Sequence, residues 1–371
     1  MSWSEQQDFA LQKVESWLKH DTKDNPVFRL YGYAGTGKTT LAIHFANMIE
    51  GNVCFAAFTG KASMMMRQKG CYGAKTIHSL IYKAKADDKG NVSFVLNKHG
   101  SDLKNAKLLI LDECSMVNEE LAKDLLYFNV PILALGDPAQ LPPVSGAGYF
   151  TEGKPDVMLT QIHRQAKENP IIALASHVRK GNDIPFGEYG NSVVMPRSKL
   201  RSKDAVEASQ IIVGKNNTRQ TINKKMRKIY GIKSQLPIIG EKIICLKNDR
   251  TKGIYNGGIF YVEKILPVKL KKADYLLLEI KSDEEDPAGF STIVNVKKGL
   301  FSDEWPYPDW KQLKYSQEFD YAYAITCHKS QGSQYESVLI YGDEANVFGT
   351  EKHRWLYTAI TRASEKVVIV K

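Results

Sequence analysis

The chain has 371 residues, 43% hydrophobic and 25% charged, with a formal net charge of +10. That length allows two domains and a sizeable core, and the composition is that of an ordinary globular protein. No apolar run reaches the length of a membrane span, and the first residues lack the basic and apolar regions of a secretory signal. The five cysteines (Cys54, Cys71, Cys114, Cys245, Cys327) form no CxxC pair. A membrane protein, a zinc module and a disulfide scaffold are therefore set aside, and a cytoplasmic setting is expected. The basic balance favours a polyanionic partner such as nucleic acid.

Residues 1–20 place Phe9, Ala10, Val14, Trp17 and Leu18 near helical spacing. In this stretch Gln7 carries an amide able to read both the donor and the acceptor of an adenine edge; a solvated helix residue is the equal alternative. Next comes an apolar run at 27–31, then Gly32-Tyr33-Ala34-Gly35-Thr36-Gly37-Lys38-Thr39, then a run of helical period at 41–49. This is the strand–GxxxxGK[ST]–helix pattern of a phosphate-binding loop. Glycines let backbone N–H groups close around a polyphosphate, and the following helix turns its positive end to the same group. Gly35, Thr36, Gly37, Lys38, Thr39 and Thr40 are the candidate contacts to that polyphosphate, with Lys38 on the β/γ-phosphates and Thr39 on Mg²⁺.

The run 53–58 reads as a buried parallel strand ending in Thr59-Gly60-Lys61. Thr59 and the amides around Lys61 can hold a backbone phosphate of nucleic acid, or can form an ordinary connection. The three methionines at 64–66 are expected to face the core. His78 lies at a strand–helix junction, where a lone histidine is more often structural. Residues 83–105 turn polar, and Lys89-Gly90-Asn91 between two short strand-like runs reads as an inserted hairpin. The strand at 108–111 ends in Asp112-Glu113, one carboxylate for Mg²⁺ and one to activate water. A fourth strand, 131–137, runs into Pro138-Ala139-Gln140, whose amide can sense a γ-phosphate. These strand–helix alternations give an open parallel α/β sheet with its ligand at the strand carboxyl ends.

Further along, Arg164 lies outside this first unit and is a candidate arginine finger, although a surface arginine is the commoner fate. Residues 214–230 hold six basic residues and no acidic one, and Asn216, Asn217, Arg219 and Asn223 open a helix whose polar face can ride on phosphates or simply be solvated. Residues 236–317 read as short strands of an all-β, barrel-like insertion with a hairpin signal at Asn256-Gly257-Gly258. Its segment Trp305-Pro306-Tyr307-Pro308-Asp309-Trp310 is expected to pack the insertion onto its neighbours rather than to stack bases. The chain returns to α/β at 320–326, and Thr326, His328 and Ser330 sit in a polar turn with donors for phosphates or sugars. A helix over 355–362 ends in Arg362, a second finger candidate, and 367–370 closes the sheet.

Taken together, these stretches resemble the superfamily 1 DNA helicases of the RecD and Dda branch. GYAGTGKTT (32–40), FTGKAS (58–63), TIHSL (76–80), LDECSM (111–116), GDPAQLPPV (136–144), IHRQ (162–165), AITCHKSQG (324–332) and LYTAITRA (356–363) resemble motifs I, Ia, Ib, II, III, IV, V and VI in order. The resemblance implies two RecA-like P-loop domains with parallel sheets: residues 1–150 with a wedge hairpin at 83–105, and 151–235 with 318–371. An SH3-like β-barrel insertion at 236–317 lies in the second. It implies Gln7 on adenine, Lys38 and Thr39 on phosphate and Mg²⁺, Asp112 on Mg²⁺, Glu113 as activator of water, and Gln140, Arg164 and Arg362 on the γ-phosphate. Thr59, Lys61, His78, Asn216, Thr326, His328 and Ser330 are then candidate nucleic-acid contacts. The implied activity is ATP-dependent 5′–3′ translocation on single-stranded DNA and unwinding at duplex junctions. A monomer is expected, with single-strand-binding or replication proteins as partners and a phage origin consistent with its small size. A strand-stimulated ATPase that does not unwind, and a non-enzymatic DNA-binding module, are the other readings.

Overall fold

The computed structural model describes residues 3–86, 92–142, 148–151, 153–162, 168–254, 256–268, 274–283, 291–314 and 316–371. The apolar runs pair into two six-stranded sheets, with a five-stranded sheet built from the chain between two strands of the second.

The first sheet takes β1 (Val27–Gly32), β2 (Asn52–Ala57) and β3 (Lys75–Thr76). After the hairpin strands β4 (Tyr82–Ala86) and β5 (Val92–Leu96), it takes β6 (Ala106–Asp112), β7 (Ile132–Gly136) and β8 (Val157–Leu159). The order is β3-β2-β6-β7-β1-β8, parallel throughout. Leu108 to Leu111 and Ile132 to Leu135 are fully buried, as strands covered on both faces must be. Because β6, β7 and β1 are neighbours, the loops that follow them open side by side at one edge of the sheet. Helix Glu5–His20 starts with a Ser4–Gln7 capping box and packs Ala10, Val14 and Trp17 on the sheet. Phe9, counted with its apolar face, is 50% exposed instead, one position off that stripe. In the hairpin, β4 and β5 pair from Tyr82↔Leu96 to Ala86↔Val92. The expected turn Lys89-Gly90-Asn91 lies outside the described residues.

The second sheet takes β9 (Gly187–Tyr189), β10 (Ser192–Met195) and β11 (Gln210–Val213). Its remaining strands, β17 (Ala324–Thr326), β18 (Tyr335–Tyr341) and β19 (Ala363–Val370), come after the five strands of the third sheet. The order is β17-β11-β18-β19-β10-β9, parallel except for β9. Helices Pro170–Arg179 and Lys352–Ile360 cover one face, with Trp355 wholly buried between them and the sheet.

The third sheet is antiparallel: β12 (Lys242–Cys245), β13 (Ile259–Leu266), β14 (Tyr275–Ser282), β15 (Ser291–Lys297) and β16 (Phe319–Tyr321), in the order β15-β14-β13-β12-β16. It has its own core around Leu278, Ile280, Val294, Val296 and Phe319. It extends past 317, because β16 pairs with β12 before the chain enters β17. Gly257 takes a left-handed φ of 88° and its N–H donates to Cys245 O, but Asn256-Gly257-Gly258 closes the long connection from Cys245 to Ile259 instead of forming the tight two-residue turn its sequence suggests. The aromatic segment departs from expectation. Tyr307 and Trp310 are 72% and 74% exposed, so they do not pack the insertion onto its neighbours. Trp310 opens a four-residue helix held by its own Asp309–Gln312 capping box.

Candidate active site

The phosphate loop leaves β1 and turns through Gly35 (φ 78°) and Gly37 (φ 81°), a conformation costly to other residues. Gly32 is equally constrained: a Cβ there would stand 2.5 Å from Thr36 Oγ1. Thr36 is buried, and its hydroxyl donates to Tyr33 O at 2.8 Å. Lys38 opens helix Lys38–Met48, and its Nζ donates to Gly32 O (2.6 Å) and Tyr33 O (3.1 Å). Thr39 and Thr40 follow in the first turn. Gln7 is 1% exposed, so the solvated alternative is overturned. Its Nε2 donates to Thr36 O (3.2 Å) and its Oε1 accepts from Ser4 N (3.0 Å), tying the first helix to the loop.

Asp112 ends β6, and its Oδ1 accepts from Glu113 N at 2.9 Å. Burial, then the neighbouring Glu113 carboxylate, push the Asp112 carboxyl up, while Lys38 and Lys69 pull it back. Glu113 adopts φ 50°, a left-handed conformation that costs a residue with a side chain about 1–3 kcal/mol. Gln140 is 8% exposed, and its Oε1 has no hydrogen-bond partner among the described residues.

These groups line a cleft of about 320 Å³ whose far wall comes from the second sheet: Gly332, Ser333, Gln334, Thr361 and Arg362. Arg362 is 4% exposed. It is aimed by three bonds, Nε to Thr358 O (3.1 Å), Nη1 to Ser333 O (3.2 Å) and Nη2 to Thr361 Oγ1 (3.1 Å). Its Nη1 lies 3.9 Å from Glu113 Oε1. The structure thus brings together Lys38, Thr39, Asp112, Glu113, Gln140 and Arg362. Arg164, the other finger candidate, lies outside the described residues. The donor set fits a triphosphate: cradle amides, the lysines Lys38 and Lys69, and one buried guanidinium. Thr39 and Asp112 supply the hard oxygens a Mg²⁺ ion takes.

The residues expected on a nucleic-acid track fall in several environments. Thr59 N-caps helix Gly60–Gln68, its Oγ1 accepting from Ala62 N (3.1 Å), and it abuts Gly332 across the seam. The side chain of Lys61 lies outside the described residues. His78 is half-buried, with ring contacts to Phe58 (5.9 Å) and Tyr82 (5.8 Å). Thr326 and His328 are half-buried at the start of helix Cys327–Ser330. Burial lowers the His328 pKa, and its ring meets Phe348 at 5.9 Å.

Two expectations need correction. Ser330 is wholly buried, and its hydroxyl donates to Cys327 O (2.7 Å), so it braces the turn instead of facing a ligand. In helix Asn216–Ile229, Asn216, Asn217, Lys224, Lys225 and Lys228 are outward, but Arg219 and Asn223 of the expected polar face are turned inward. Asn216 is exposed, but Glu344 already accepts from Gly214 N (2.5 Å), Lys215 N (3.1 Å) and the Thr218 hydroxyl at that helix end. Asn223 is buried and bonded to Tyr321 O and to both backbone groups of Ala324, and Arg219 pairs with Asp320 at 2.5 Å.

Sequence reasoning missed Met65 and Lys69, which line the cleft. It also missed Asp137 and Tyr357, a buried pair that meets across the seam. Nothing local marks Tyr357, which sits among apolar neighbours on a helix.

Fold and cleft define a P-loop protein of two α/β units whose phosphate loop faces the seam between them. Residues 15–191 match a family described as an AAA domain, and residues 321–370 match the UvrD-like helicase C-terminal domain. The ATP-dependent RecD2 DNA helicase of Deinococcus radiodurans is 26% identical over 91% of this chain; the match spans 46% of the relative, so this chain covers under half of its length. Among solved structures, Bacteroides Pif1 bound to single-stranded DNA aligns over 100% of this chain and 92% of its own, with 20% identity and a TM-score of 0.56. A structure described as two coordinating Pif1 helicases unwinding forked duplex DNA aligns over the same shares, with 18% identity and a TM-score of 0.57. The chain is thus similar in sequence to an AAA domain, to the UvrD-like helicase C-terminal domain and to a RecD2 helicase, and it shares its fold with Pif1 helicases.

Proposed function

We propose that the chain is an ATP-dependent DNA helicase that translocates 5′ to 3′ on single-stranded DNA and unwinds duplex, closing the cleft between two RecA-like units in each cycle. The reading rests on one observation above all: Arg362 reaches the phosphate-loop cleft from the other sheet, 3.9 Å from Glu113. An arginine supplied across a seam is how a phosphoryl-transfer site is made dependent on closure.

In this reading the loop amides at Gly35, Thr36, Gly37 and Thr40, together with Lys38, hold the phosphates; Gln7 is left out as an adenine reader because its buried amide is bonded to Thr36 O and Ser4 N, where it braces the loop. Thr39 and Asp112 hold Mg²⁺, which when bound neutralises charge on the β- and γ-phosphates. Glu113 accepts a proton from the attacking water, and Gln140, Arg164 and Arg362 steady the γ-phosphate. Thr59, Lys61, His78, Asn216, Thr326 and His328 touch the strand; Ser330 is left out because it is buried. The hairpin at 83–105 is the separating wedge and the antiparallel sheet an SH3-like insertion. Strand affinity is then salt-dependent and largely independent of sequence. Duplex junctions, single-strand-binding or replication proteins and a cytoplasmic setting go with this reading, as do the DNA-bound Pif1 relatives. A monomer is sufficient for it.

The five-residue strands of the hairpin favour a second reading, a translocating ATPase that remodels without unwinding. The test is ATP-dependent unwinding of duplexes with a 5′ or a 3′ tail, in DNA and RNA versions, beside ATP hydrolysis with and without single strand. Unwinding from 5′ tails supports the first reading. Strand-stimulated hydrolysis without unwinding supports the second, and unstimulated or absent hydrolysis overturns both.

A further inference from the structure

We propose that Tyr357 is a positioning residue that transmits the state of the phosphate loop to the second sheet. The proposal rests on the nucleotide-cleft reading above. The Tyr357 hydroxyl accepts from Ala34 N at 2.9 Å and donates to Asp137 Oδ2 at 2.5 Å. Tyr357 is 1% exposed and Asp137 2%. A hydroxyl has one proton to give, so the two bonds have a fixed polarity: amide to phenol, phenol to carboxylate. The other Asp137 oxygen accepts from Ala139 N at 3.0 Å. A buried carboxylate needs such partners, and here the strongest one comes from the opposite unit.

The loop after β7 is held from the second unit at three further points. Thr358 Oγ1 accepts from Leu141 N (2.9 Å), Gln331 Nε2 donates to Leu141 O (2.8 Å), and Arg354 Nη2 donates to Pro138 O (2.9 Å). Gln140 sits between those anchors, so its backbone follows helix Lys352–Ile360. Arg362 lies just past the end of the same helix, five residues after Tyr357 and about 7.5 Å along the axis. One short rigid element therefore touches the phosphate loop at Ala34, carries the Gln140 loop and aims Arg362. A cavity of about 270 Å³ lies beside the seam, walled in part by Tyr33, Ala139, Arg179 and Tyr357. A tyrosine kept for packing alone has no need of two loop partners on the other sheet, and phenylalanine would serve.

The test is hydrogen–deuterium exchange on the full chain, with and without Mg²⁺ and a non-hydrolysable ATP analogue, beside equilibrium binding of that analogue. In the wild type, analogue binding slows exchange in residues 137–142 and 352–360. In Tyr357→Phe the analogue still binds, with Kd within about threefold. The slowing at 352–360 is lost, and strand-stimulated kcat falls about tenfold with KM little changed. Asp137→Asn keeps an acceptor for the phenol and retains the response, whereas Asp137→Ala loses it; this pair decides the matter if Tyr357→Phe does not fold. A wild-type response in Tyr357→Phe or Asp137→Ala overturns the proposal. So does analogue binding to the wild type with no change at 352–360, which leaves the nucleotide reading intact. A wild type that binds no analogue sinks the nucleotide reading and this one with it.

Discussion

Arg362 and Glu113 meet across the seam between the two six-stranded sheets, Nη1 3.9 Å from Oε1, each held by its own unit. Arg362 is anchored by three hydrogen bonds to the 333 and 358–361 backbone and side chains, so its direction is set by the second sheet. Glu113 is set by a left-handed φ of 50° at the end of β6. Their separation is therefore a measure of how closely the two sheets approach.

Arg362→Ala is expected to lower strand-stimulated kcat by about a thousandfold, the scale of a lost arginine finger, while analogue binding changes far less. Arg362→Lys keeps the charge but not the planar fork and recovers little. Glu113→Gln gives a loss of similar size, and the double variant is no worse than the poorer single, because the two groups act on one step. Steady-state hydrolysis with equilibrium binding checks this; additive losses would separate the two residues.

Helix Asn216–Ile229 carries the second prediction. Asn223→Ala removes three hydrogen bonds to strand backbone, from Nδ2 to Tyr321 O and Ala324 O and from Ala324 N to Oδ1. It leaves buried groups unpaired, so the expected cost is about 3 kcal/mol of stability. Chemical denaturation measures it. Strand affinity at a temperature where the variant is folded should be unchanged. A weakened affinity with unchanged stability would restore the phosphate-riding role.

That helix also shows where the sequence stops being informative. Arg219, Asn223 and Arg227 are spaced by four and form one stripe, and polar residues at that spacing read as an outward face. Their partners are Asp320, Tyr321, Ala324 and Glu241. All but Glu241 lie about a hundred residues away, where no periodicity can find them. The phosphate loop and Asp112-Glu113 were legible because their chemistry is contiguous and each follows an apolar strand. Tyr357 and Asp137 were not, because their role exists only once the two sheets are brought together. Ser330 was misread for a related reason: a hydroxyl in a polar turn serves the turn's own carbonyls as readily as a ligand.

His328 gives a pH dependence. Burial holds its folded pKa below the ordinary value of about 6.5, so the unfolded chain binds the extra proton as pH falls. The stability this residue contributes is present above pH 6.5 and is lost as pH falls through that value toward the folded pKa. The difference in Tm between pH 7.5 and pH 5.5 should therefore shrink in His328→Gln relative to the wild type, whose carboxylates titrate identically in both. An equal difference in the two proteins would show that the ring carries no such linkage.

The hairpin is anchored at its base. The Tyr82 ring meets His78 at 5.8 Å in a tilted arrangement, and its hydroxyl donates to Asp124. The strand pairs beyond Tyr82↔Leu96 run outward from that anchor to Ala86↔Val92. Deleting residues 86–97 removes β5 but leaves Tyr82 with both partners on the first unit, and the nucleotide cleft is not touched. If the hairpin separates strands, unwinding of a 5′-tailed duplex falls about tenfold, while strand-stimulated hydrolysis stays within about twofold, because separation and not chemistry has lost its stabilisation. Rates measured side by side on the same preparation decide it. Equal loss of both activities would mean that the hairpin supports the His78 region of the strand path, and no loss of either would leave strand separation to another element.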